Sequence, residues 1–77
     1  MSAFQELVEK ELKRARAKYQ NTQCSWHEGE AILREEFEEV VKEVRKKNHL
    51  RRNDLLLKEL VQVGAMAQRF AEDAELL

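Results

Sequence analysis

Between Leu55 and Ala67 the chain reads as a helix that is apolar on more than one side, and this limits its possible folds more than any other feature. Leu56, Leu60, Val63, Ala67, Phe70 and Ala74 recur at close to heptad spacing, while Leu57, Val61, Gly64 and Ala65 fall outside that stripe. A helix apolar nearly all round must be buried from several directions. Two other helices of the same short chain cannot easily cover all of it, so a second subunit is expected to contribute. Gly64 costs ~1 kcal/mol of helix propensity relative to Ala, a tolerable loss where a bare Cα lets another helix approach closely.

Two further helices precede it. Ser2 and Gln5 have the form of a capping box, and Phe4, Leu7, Val8, Leu12, Ala15 and Tyr19 then follow one helical stripe. The polar run Asn21-Thr22-Gln23 breaks this pattern, and Ser25 with Glu28 opens a second helix that carries Leu33, Phe37, Val40 and Val44 on one face. That helix is expected to end near Lys46-Lys47-Asn48, and Asn53-Asp54 signals the start of the third. The expectation is one all-α domain over residues 1–77, with helices at about 3–20, 26–46 and 53–75. They form an antiparallel helical bundle completed by oligomerisation.

Seventy-seven residues bury too small a share of their surface to be comfortable as a lone monomer, which again favours a homo-oligomer, a dimer or tetramer. The 38% charged residues are offset by 43% hydrophobic ones at helical spacing and by the absence of proline, so folded helices are expected rather than disorder. Fourteen Lys and Arg against 15 Asp and Glu leave a net charge of −1, which gives no overall field for nucleic acid. Cys24 has no partner for an intramolecular disulfide and reads as a small filler residue in a reducing compartment. No basic and apolar leader opens the sequence, and no apolar run approaches the ~20 residues of a membrane span. A soluble, cytoplasmic protein is the default expectation.

Chemistry is most concentrated in Glu35-Glu36-Phe37-Glu38-Glu39 and, on the third helix, in Glu59-Leu60-Val61-Gln62. At about 100° per residue, Glu36, Glu39 and Glu43 lie close together beside the apolar stripe of helix two. Glu35 lies further round and Glu38 points to solvent. Like charges at these spacings cost a few tenths of a kcal/mol per pair, a cost that a cation would offset. Hard carboxylate oxygens on two packed helices are suited to magnesium. The plainer reading is a wet helix face balanced by Arg34, Lys42, Arg45 and Lys46.

The paired acidic motifs resemble the all-α nucleoside triphosphate pyrophosphohydrolases of the MazG-like superfamily, whose signature is Glu-Glu-x-x-Glu, a spacer, then Glu-x-x-Asp. The resemblance covers about Trp26 to Asp73. It extends to the short phage and bacterial type, in which a His-Glu pair precedes the acidic helix and a segment like Lys58–Ala67 follows. It implies magnesium ligands at Glu35 or Glu36, Glu39 and Glu59, with Gln62 in the place of the family's Asp. A glutamine offers a neutral carbonyl oxygen, so it adds no charge and cannot act as a base, and weaker metal binding is expected. By resemblance the substrate is a nucleoside triphosphate, hydrolysed to the monophosphate and pyrophosphate, with Glu36 or Glu39 orienting the attacking water. Active members usually have a fourth helix, which a second subunit would replace here.

Other readings stay open at this level. A catalytically inactive oligomerisation or regulatory module would use the same faces as interface and solvent surface only. Lys46, Lys47, His49, Arg51 and Arg52 could reach phosphates of a nucleotide or a nucleic acid, or simply complement helix ends. Trp26 and His27 could meet a base, though a Trp in a first helical turn usually anchors packing. The sequence contains neither a Gly-rich phosphate loop nor a Ser/His/Asp constellation.

Overall fold

The computed structural model describes residues 2–19, 21–22 and 25–77. It contains three helices, α1 (Ala3–Lys18), α2 (Trp26–Val44) and α3 (Asn53–Asp73), with a 3-10 turn at Asn48–Leu50. No strand occurs among the described residues. The expectations for Cys24, and for α1 reaching Gln20, fall on residues outside this set.

Local chemistry accounts for most of the helix limits. At the start of α1 the Gln5 N–H donates to Ser2 Oγ at 3.1 Å and the Ser2 N–H to Gln5 Oε1 at 2.7 Å, which closes the capping box. Ser25 likewise caps α2, accepting from the Glu28 N–H at 3.1 Å. The end of α2 departs from expectation. Asn48 does not cap it; Arg51 reaches back from beyond the 3-10 turn, donating from Nε to the Lys46 carbonyl and from Nη2 to that of Val44, at 3.0 and 2.9 Å. One guanidinium thus satisfies two carbonyls that the helix leaves open. Arg52, not Asn53, is the N-cap of α3 and makes no side-chain cap bond.

Helices α1 and α2 each pack on α3 and not on one another. Val8, Leu12 and Ala15 of α1 meet Val61, Ala65 and Met66 of α3, and Ile32 and Leu33 of α2 are partly buried against them. Of the apolar sides of α3, the other two helices bury one. The buried side is the Val61, Ala65, Met66 and Arg69 side, and the heptad-spaced stripe is the more open one, with Leu60 40% exposed and Ala67 exposed. The stripe of α2 is similarly open: Val40 is buried, but Phe37 and Val44 are 56% and 51% exposed. Trp26, at 67% exposed, anchors no packing.

Both glycines mark close helix contacts. A Cβ on Gly64 would stand 2.9 Å from Val8 Cγ2, and one on Gly29 would meet the Phe70 ring at 2.7 Å. Past the core, Arg16 of α1 donates to Glu72 and Asp73 at 2.8 and 3.1 Å, tying the two helix ends together. Arg69 is buried beside them, with Nη2 donating to the Asn21 carbonyl at 2.9 Å and Nε 3.5 Å from Asp73 Oδ2, too long for a hydrogen bond.

Candidate functional site

The α1 and α2 backbones stay apart, and two cavities open beside α3. Gln62 lines one and Glu36 the other, at the meeting point of α2 and α3. There the Gln62 amide lies against two carboxylates, and assigned with its nitrogen towards them it donates to Glu36 Oε2 at 2.9 Å and to Glu59 Oε2 at 3.3 Å. Glu36, Glu59 and Gln62 are all half-buried. Glu36 is one turn along α2 from Ile32 and Leu33, so the packing that seats those apolar side chains on α3 also sets its carboxylate against that helix.

Burial pushes the Glu36 carboxyl above its ordinary range, and the nearby charges of Glu59, Glu39, Glu11 and Glu35 add to the shift. Like charge around a half-buried carboxyl is relieved by a neutral donor or by a cation. The Gln62 amide partly relieves this strain by supplying N–H dipoles without charge.

The other expected ligands are less gathered. Glu39 is exposed and pairs with Lys42 Nζ at 3.2 Å, and Glu35 is exposed on the wall of the cavity that Glu36 lines. Among the described residues no three His, Cys, Asp or Glu side chains stand close enough together to hold a metal ion. The assembled set is two carboxylates and one amide. Turned through 180°, the Gln62 amide would present its oxygen 2.9 Å from one Glu36 oxygen and 3.3 Å from one Glu59 oxygen. Two carboxylates and an amide oxygen are ligand types that magnesium accepts, with water or phosphate oxygens taking its remaining positions.

Glu11 on α1 is a contributor that the sequence reading missed. Its spacing places it on the flank of the Val8/Leu12/Ala15 stripe, and the packing of α1 on α3 brings it towards Glu36. Arg14 holds the Glu11 carboxyl below its ordinary range through a two-pronged pair from Nε and Nη2. The basic connection after α2 is committed elsewhere: Arg51 to the α2 carbonyls, Lys46 to Glu43, Arg52 to Asp54.

On either side of the Glu36–Gln62 contact lie the two cavities, the arms of a cleft. One cavity, of about 590 Å³, lies between α1 and α3 and is lined by Glu11, Arg14, Lys58 and Gln62 over the apolar side chains of Leu7, Leu57 and Val61. The other, of about 480 Å³, is lined by Lys18, Tyr19, Asn21, Glu28, Ile32, Glu35, Glu36 and Arg69. Both volumes fall within the range of small-molecule sites. No helix among the described residues is long and apolar enough to cross a membrane. Compared with protein-family models, curated proteins and solved structures, the chain matches none of them.

Proposed function

We propose that the chain is a MazG-like, magnesium-dependent nucleotide-binding protein that hydrolyses a nucleoside triphosphate to the monophosphate and pyrophosphate, and that it works as a homo-oligomer. The observation that carries this reading is the convergence of Glu36, Glu59 and Gln62 between two open cavities. Glu36 and Glu59 supply charged oxygens, and Gln62 exchanges its donor for its carbonyl oxygen when a cation arrives. Glu39 leaves Lys42 to complete the set and to orient water towards phosphorus. Bound magnesium would neutralise the phosphates and polarise the bond to be broken.

The oligomer rests on the open apolar groove between α2 and α3, where Leu33, Phe37, Val63 and Ala67 form a cavity wall edged by Glu30 and Arg34. The residues of α2 and α3 that meet, Gly29 with Phe70 and Glu36 with Gln62, support an antiparallel pair whose outer face a second copy covers. That groove equally suits a purely oligomeric or regulatory module, so the test has to separate binding from assembly.

The test measures pyrophosphate release from canonical and modified nucleoside triphosphates, with and without magnesium, for the parent, Glu36→Gln and Glu59→Gln. Melting temperatures in magnesium are recorded alongside. Expected are magnesium-dependent release and magnesium-dependent stabilisation in the parent, with both lost in each variant. A parent that releases nothing, and whose melting temperature magnesium leaves unchanged, would leave only the module reading.

A further inference from the structure

The two arms of the cleft differ in charge, and this difference gives a bound nucleotide a direction. Resting on the nucleotide-binding reading above, we propose that the polyphosphate extends along the α1–α3 arm between Arg14 and Lys58. The nucleoside then occupies the α1–α2 arm, against Tyr19 and Asn21.

The α1–α3 arm has two cations against one carboxylate. That carboxylate, Glu11, is already neutralised by Arg14 and fixes the guanidinium at the edge of the cavity through Nε and Nη2. A guanidinium has five N–H donors, so Arg14 keeps donors for phosphate oxygens while Glu11 holds it in place. Its side chain is 57% exposed and can be reached. Lys58 stands on α3, one turn before Gln62, and its charge reaches Glu11 across the groove. Phosphates leaving the Glu36–Glu59–Gln62 centre in this direction therefore meet positive charge from both walls.

The α1–α2 arm has no such excess of positive charge: Glu28 and Glu35 match Lys18 and Arg69, with Glu36 at the junction. Arg69 is 7% exposed and engaged with the Asn21 carbonyl and Asp73, so it cannot turn to a ligand without breaking buried contacts. Extra phosphates would find no net attraction here. A nucleobase would, since this arm offers the half-exposed Tyr19 ring as a stacking surface, with Lys18 Nζ 5.3 Å from its centre, and the Asn21 amide for a base edge. The two arms meet at the Glu36–Gln62 contact, which is where the α-phosphate of a nucleotide laid in this direction falls.

The proposal is tested by magnesium-dependent binding to the full chain of two probes, inorganic tripolyphosphate and a nucleoside triphosphate analogue with a non-hydrolysable α–β bridge. The variants are Arg14→Gln, Lys58→Gln, Tyr19→Ala and Tyr19→Phe, with circular dichroism confirming that each remains helical. Arg14→Gln and Lys58→Gln are expected to weaken both probes equally, by about tenfold each. Tyr19→Ala is expected to weaken the analogue at least about fivefold and leave tripolyphosphate unchanged, and Tyr19→Phe to match the parent for both. If Tyr19→Ala weakens tripolyphosphate, or if neither cation variant affects it while the parent binds both probes, the direction is overturned and the nucleotide reading survives. If the parent binds neither probe in magnesium, both fall together.

Discussion

Glu36 shows how strongly a neighbourhood can act on one side chain. It is half-buried, surrounded by like charge and hydrogen-bonded to a neutral amide, and its carboxyl is held above the ordinary glutamate range. The folded protein therefore binds this proton more tightly than the unfolded chain does. Stability from this group is fully present below the ordinary glutamate pKa and is lost as pH rises through the raised one. Without magnesium, Glu36→Gln is expected to melt above the parent at neutral pH, the two melting curves converging in acid. Magnesium should reverse the order by stabilising only the parent. Thermal melts across pH with and without the cation measure both effects, and a variant that parallels the parent at every pH would refute the account of Glu36. The spacing of the glutamates set Glu36 beside the apolar stripe of α2; the influence of Glu11, and the pairing of Glu39 with Lys42, could not be read from it. Helical periodicity assigns a side chain to a face, whereas rotamer and partner depend on what packs nearby.

Among the elements, the contact between α1 and α3 depends on Gly64 lacking a side chain. A methyl there would lie 2.9 Å from Val8 Cγ2, closer than carbon atoms sit in a packed core. Gly64→Ala gains ~1 kcal/mol in helix propensity but forces α1 outward, so a net loss of about 1–2 kcal/mol is expected. Combining it with Val8→Ala should restore part of that loss, with a coupling of at least ~0.5 kcal/mol by urea unfolding. Strict additivity would rule out close approach as the reason for the glycine. The sequence suggested Gly64 as a point of helix contact without indicating which helix made it. It read α3 as apolar on several sides without indicating which of them the chain's own helices bury. The heptad-spaced stripe is the stronger pattern, but α1 and α2 of the same chain bury Val61, Ala65 and Met66 instead.

At the scale of the whole molecule, the chain has more surface than a compact monomer. Its 6032 Å² compares with about 4,900 Å² for a monomer of its 9.1 kDa, and its 13.3 Å radius of gyration with about 11.5 Å. The excess of about 1,100 Å² is comparable to what one partner contributes to a stable interface. Part of the exposed apolar surface lies on the stripes of α2 and α3, where Phe37, Val44 and Leu60 are open to solvent. A charge placed there should block assembly without disturbing the monomer's own core. Phe37→Lys is therefore expected to sediment as a monomer and keep the parent's helical content, where the parent sediments as a dimer or larger. A parent that is monomeric at the same concentration would remove the groove from consideration as an interface.

The sequence by itself determined what is local. The capping box at Ser2, the Ser25 cap, the three amphipathic stripes and the run of glutamates on α2 involve residues within about one helical turn of each other, so pattern alone specifies them. The tertiary structure decided what depends on elements distant in the chain. It selected the face of α3 that is buried, used Arg51 rather than Asn48 to close α2, and buried Arg69 beside Asp73. It also kept α1 and α2 apart, so that a cleft of unequal charge opens over Gln62. Periodicity is a property of one helix, while burial and electrostatic coupling belong to pairs of helices, and several competing pairings satisfy the same pattern until packing selects one.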